Sequence, residues 1–89
     1  MIILDGKKMS NLDELHREMS EKLDFPDYYG CNTDALWDCL TGWVDLPLDL
    51  VWTDFDLVEK NLGADAALIL KIFREADGVN VSVLRSTDA

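Results

Sequence analysis

The sequence has one histidine, His16, and that scarcity closes most catalytic routes. A Ser–His–acid triad, a histidine general base or a His-rich metal centre would all have to be built on it. Its place beside Leu15 in a helix-forming stretch reads as structural. No Gly-rich phosphate loop, G-x-S-x-G elbow or H-E-x-x-H pair occurs in the 89 residues. The run Asp54-Phe55-Asp56-Leu57-Val58-Glu59 has the carboxylates of a calcium loop but neither its glycine nor its spacing. The chain is therefore expected not to be an enzyme, with no metal and no cofactor. Cysteines number two, Cys31 and Cys39. They stand eight residues apart, about 12 Å of helical rise, beyond the ~7 Å Cα separation that a disulfide spans. Both are expected as free thiols of a reducing compartment. No apolar run approaches the ~20 residues that cross a bilayer, and no basic segment leads into a hydrophobic one as an export signal would. A soluble, cytoplasmic chain is the expectation.

Positive charge is missing from the middle. Between Lys22 and Lys60 there is no lysine or arginine, while Asp24, Asp27, Asp34, Asp38, Asp45, Asp49, Asp54, Asp56 and Glu59 fall in that window. The formal net charge is −10. Phosphate contacts need cations, so nucleic acid and anionic membrane are excluded as partners, and a basic protein is favoured. Apolar residues make up 48% and are spread along the chain, which argues against disorder. Eighty-nine residues hold one core, so a single domain over 1–89 is expected, with 85–89 as a frayed polar tail.

Taken in order, Met1 to Leu4 reads as a buried first strand closed by a turn at Asp5-Gly6. Leu12, Leu15, Met19 and Leu23 recur at helical spacing, with Asn11 and Glu14 resembling a capping box. Glu14, Arg17, Glu18, Glu21 and Lys22 form the expected solvated face, and Phe25-Pro26 ends the helix. After a second helix, Leu48, Leu50 and Trp52 alternate with Asp49, Val51 and Thr53 as a strand, and Trp52 reads as core. A third helix follows with Asp54 as its cap, Leu57, Val58 and Leu62 as its apolar positions and Gly63 as its stop. Asp65 caps the fourth, in which Ala66, Ile69, Leu70 and Phe73 recur, and Gly78 ends it. Val79, Val81 and Val83 make a last strand. The order β-α-α-β-α-α-β, with helices between successive strands, predicts an α/β fold on a three-stranded parallel sheet, its helices on one face.

The stretch from Asp27 to Asp45 is the least ordinary. Asn32 is its N-cap and Gly42 its stop. Ala35, Leu36, Cys39 and Leu40 fall on one helical face, and Asp34, Trp37, Asp38 and Thr41 on the other. Like charges at i, i+4 cost an isolated helix roughly 0.2–0.5 kcal/mol. Tyr28, Tyr29 and Trp43 flank this acidic face and are expected to be partly exposed. Carboxylates beside exposed aromatics suggest a binding patch, one that imitates phosphates beside bases and suits a basic cleft that normally holds RNA or DNA.

At these residues the sequence resembles the barstar family, intracellular inhibitors of the ribonuclease barnase. The similarity is carried by Pro26-Asp27-Tyr28-Tyr29-Gly30-Cys31-Asn32-Thr33-Asp34-Ala35-Leu36-Trp37-Asp38-Cys39-Leu40-Thr41-Gly42-Trp43-Val44. It extends to Asp13-Glu14-Leu15-His16, Pro47-Leu48 and Phe73-Arg74-Glu75-Ala76. The resemblance implies a monomer that binds a basic secreted ribonuclease one to one and blocks its RNA cleft. It implies that Asp38 enters the phosphate site as a phosphate mimic and that Asp34 faces the rim. Tyr28 would stack on the catalytic histidine, and Glu75 would pair with a basic edge residue. Gly30, Asn32, Trp37, Thr41, Gly42, Trp43 and Val44 would be further contacts, Tyr29 and Thr33 completing the surface. It also implies a cis bond before Pro47. The chain departs from the family at Cys31, where a glutamate stands, at Thr33, where a leucine makes contact, at Leu46, a tyrosine there, and at Val79, a cysteine there. The segment before the last strand is shorter and the end longer. Departures at the contact surface point to a related ribonuclease with a different rim. A different reading of the same scaffold is an acidic interaction or immunity domain for another basic protein or toxin domain.

Overall fold

Strand β2 (Leu48–Thr53) lies between the two others, pairing in parallel with β1 (Ile2–Asp5) and with β3 (Val79–Val83). The structure is a computed structural model, and it describes residues 1–86. Register follows the alternation of the sequence. Leu50 sits between Ile2 and Val81, and Trp52 between Leu4 and Val83, so the apolar positions of all three strands share one face. Leu48, Leu50 and Trp52 are buried there, and the opposite face exposes Ile3, Asp49, Asn80 and Ser82. Across that open face the Asn80 amide donates to Asp49 Oδ1 (3.1 Å).

Four helices, α1 (Leu12–Leu23), α2 (Thr33–Gly42), α3 (Phe55–Leu62) and α4 (Ala64–Glu75), supply the rest, giving the predicted order with a 3₁₀ turn at Gly6–Lys8. Helix α1 packs on β1, and α4 packs on β3, α3 and α2. In the centre Phe55 and Phe73 meet Trp52 edge to face, with ring centroids 4.8 and 5.9 Å away. All three are essentially excluded from water. Gly6 is required by a close approach: a Cβ there would collide with the backbone carbonyls of Thr53 and Asp54. The Leu46–Pro47 bond is cis, as the resemblance implied.

Several expectations need correction. β1 is an edge strand and not a buried one: Met1 and Ile3 are exposed and only Leu4 is fully enclosed. Leu12 is likewise exposed at the helix start. Glu18 is not on the solvated face. It is buried, its Oε2 accepts from the Asp5 N–H (2.9 Å), and Lys22 lies 3.5 Å away, so it ties α1 to the end of β1. The capping box is displaced by one residue, because Asn11 accepts from Glu14 N–H while Glu14 accepts from Ser10 N–H and not from Asn11. Asp54 makes no cap hydrogen bond, having a left-handed backbone, and Asp65 lies inside α4, which starts directly after Gly63. Of the expected tail, Arg85 pairs with Glu59 (2.7 Å) and the Ser86 N–H donates to Asp56 (2.8 Å), both on α3. These serine contacts hold the Asp56 carboxyl below its ordinary pKa. The remainder, 87–89, lies outside the described residues.

Candidate protein-binding surface

Helix α2 sets the surface. Its start is fixed by Asn32, whose Oδ1 accepts from the Ala35 N–H (2.7 Å) while its amide donates to the Gly30 carbonyl (3.2 Å). One side chain therefore caps the helix and shapes the loop before it. Leu36, Cys39 and Leu40 are buried beneath, and Ala35 and Thr33 are half-buried at the edge. Asp34, Trp37, Asp38 and Thr41 face outward, with the Thr41 hydroxyl donating to the Trp37 carbonyl (2.8 Å). Among the described residues neither Asp34 nor Asp38 makes an ion pair. The helix thus presents to solvent an indole and two carboxylates that take no ion pair among the described residues.

The flanks converge on the C-terminal end of that helix. Tyr28 is 80% exposed, and its ring meets Trp43 edge to face at 6.3 Å. Trp43 is less free than its 48% exposure suggests, because its indole N–H donates to the Asp24 carbonyl at the end of α1 (2.8 Å). Trp43 is thus a strut that holds Tyr28 beside α2. Val44 is half-buried against the core. Glu75 is the last residue of α4, the helix that packs on α2, and it pairs with Lys71 at 3.8 Å on the surface.

Two expected site residues stand differently. Tyr29 turns away from the exposed aromatics: its ring packs on Phe25 (4.7 Å) and its hydroxyl lies 2.8 Å from His16 Nδ1. Burial pushes its phenol well above the ordinary pKa. Gly42 does not stop the helix in the left-handed region. It is the last helical residue, with no positive φ, and the Trp43 and Val44 N–H groups both donate to the Cys39 carbonyl. A Cβ at Gly42 would meet nothing within 4 Å. Gly42→Ala is therefore expected to leave the melting temperature unchanged or raise it, the gain being at most about 0.5–1 kcal/mol. A lower melting temperature would show that the fold itself needs the glycine.

Cys31, exposed and with φ of 51°, lies at the edge of this surface, and Cys39 is buried beneath it. Both are free, and burial, with Asp38 nearby, raises the pKa of the Cys39 thiol.

His16 is buried at the back of the loop, and that burial lowers its pKa below 6.5, with Asp13 acting weakly the other way. As pH falls below about 6.5 the unfolded chain takes up a proton there that the folded chain refuses, so stability declines. The decline from this source ends once the folded imidazole is protonated too. The urea midpoint is expected to drop between pH 7.5 and 5, and to drop less in His16→Asn. Equal profiles would place His16 in an environment like water.

Residues 1–83 match the family model described as "Barstar (barnase inhibitor)". A Bacillus subtilis (strain 168) protein carrying the name "Putative ribonuclease inhibitor YrdF" is 55% identical over 75 residues, which is 84% of this chain and 82% of that one. With the family model spanning nearly the whole sequence and a relative at that identity, the chain belongs to the barstar family.

Proposed function

We propose that this protein is a stoichiometric inhibitor of a basic, secreted, barnase-type ribonuclease, held as a monomer in the cytoplasm of the cell that makes the enzyme. The observation that carries the reading is the exposed α2 face, where Asp34 and Asp38 take no ion pair among the described residues and stand beside Trp37 and the Tyr28–Trp43 pair. Asp38 enters the site where an RNA phosphate would sit and meets the enzyme's cations. Asp34 faces the rim, and Tyr28 lies against the catalytic histidine. Gly30, Asn32, Thr33, Thr41, Gly42 and Val44 line the contact around them, with Glu75 at the edge. No bond is made or broken. Inhibition is occupation of the cleft, driven by charge complementarity and closed by aromatic contacts. Cys31 and Thr33 replace larger family side chains, so the cognate enzyme has a rim that fills the space they leave.

The test is RNA cleavage by barnase and several related microbial ribonucleases, titrated with this protein. Activity is expected to vanish near one equivalent for at least one of them, with association slowed as salt is raised. Full activity of every enzyme at large excess would sink the reading and turn the search to another basic partner.

A further inference from the structure

The loop of residues 26–32 carries Tyr28, Gly30 and Asn32, and few contacts hold it to the body of the protein besides the buried Pro26 at its start and the edge contact of Tyr28 with Trp43. At its far end Asn32 clamps it to α2. At its near end the tie runs through Tyr29, whose hydroxyl meets His16 Nδ1 across thirteen residues of sequence and whose ring packs on Phe25. A cleft of about 550 Å³ opens between the loop and α1, with Arg17 and Glu21 on the helix side, Cys31 on the loop side and the His16–Tyr29 pair itself on its wall. Solvent therefore reaches under the loop from one flank. The Tyr29 N–H donates to the Pro26 carbonyl (2.9 Å), a bond that lies within the loop and fixes its turn without anchoring it.

From this geometry we infer that His16, acting through the Tyr29 hydroxyl, is the positioning residue that sets the partner-facing loop against α2. The inference rests on the proposed inhibitory role of Tyr28, Gly30 and Asn32. The physical reason is the asymmetry of the support. A hydrogen bond between the buried imidazole and the half-buried phenol is directional, whereas the Phe25–Tyr29 ring contact lets the loop slide along the ring face. Removing the bond leaves a polar atom without its partner in a site that water reaches only from the cleft. The loop then samples positions in which Tyr28 no longer meets Trp43, and the partner must restore the order when it binds. His16 touches no partner in this arrangement; it acts by pre-organising residues that do.

Three variants separate positioning from mere packing. Tyr29→Phe removes the hydroxyl and keeps the ring. His16→Leu removes the nitrogen and keeps bulk, and His16→Asn returns a polar atom to the place of Nδ1. In the free protein, amide hydrogen exchange over 26–32 is expected to quicken about tenfold in Tyr29→Phe and His16→Leu, with β2 unchanged and His16→Asn close to the parent. For a ribonuclease that the parent inhibits, Kd is expected to rise about tenfold in either single variant and no further in the double one. Unaltered exchange over 26–32 in Tyr29→Phe overturns the inference. So does equal inhibition by parent and Tyr29→Phe when both are folded. A parent that inhibits nothing removes the proposed function instead, and the exchange data alone then decide whether His16 positions the loop.

Discussion

Asp38→Ala is expected to weaken inhibition by about 2–5 kcal/mol, between roughly thirtyfold and a few thousandfold in Kd. That range was measured in part on the barnase–barstar pair and is carried over to Asp38 by kinship. The argument is one of stranded charge. In the proposed complex the cations that normally grip phosphate would lose water to reach Asp38, and alanine would leave them desolvated with nothing to pair. In the free protein the same change is harmless, because Asp38 is exposed, bears no core contact and takes no ion pair among the described residues. Alanine favours helix, and loss of the repulsion from Asp34 adds a few tenths of a kcal/mol. The variant should thus melt at or above the parent temperature while inhibiting poorly. Tyr28→Ala should cost less, and Glu75→Ala less again, since Glu75 is hydrated and already shares Lys71. Full inhibition by folded Asp38→Ala would remove the phosphate-mimic role, and a dominant Glu75 would mean a different docking orientation.

What could be read from the residues alone was whatever is encoded within a few positions. The α2 cap, its buried Leu36, Cys39 and Leu40, and its outward Asp34, Trp37 and Asp38 follow from an asparagine and a period of 3.6. Strand β2 follows from strict alternation, and Trp52 was legible as core for the same reason. Less legible were features whose partners are distant in sequence or whose local signal is duplicated. Glu18 looks like any surface glutamate of α1, because the backbone N–H that buries it belongs to Asp5. Tyr29 looks like a twin of Tyr28, yet one faces solvent and the other His16, and no periodicity operates in a loop to tell them apart. Asp54 and Asp65 both resemble caps, but α3 and α4 are joined at Gly63 alone, which leaves Asp65 no room before its helix. The identity of the partner was carried by the resemblance; charge and aromatics by themselves stop at a basic cleft.

The second large effect lies in the core and separates stability from recognition. Phe73→Ala is expected to cost about 3–5 kcal/mol of folding free energy. Phe73 is fully buried on α4 and meets Trp52 edge to face, so its removal opens a void in the middle of the layer that joins the sheet to α2. Domains of this kind hold about 5–15 kcal/mol in all, so the loss is a large share of the total, and the urea midpoint should fall by about 2 M. None of the proposed contact residues is altered, however, and the folded molecules still present Asp34, Asp38 and Tyr28. A ribonuclease that binds only the folded form adds about 4 kcal/mol at a thousand times Kd, an amount comparable to what the mutation removes. The variant should therefore melt far below the parent alone and recover most of the difference in the complex, with inhibition still complete near one equivalent. Inhibition lost by a variant that circular dichroism shows to be folded, and not restored by excess, would mean that α4 shapes the recognition surface itself and does more than carry α2.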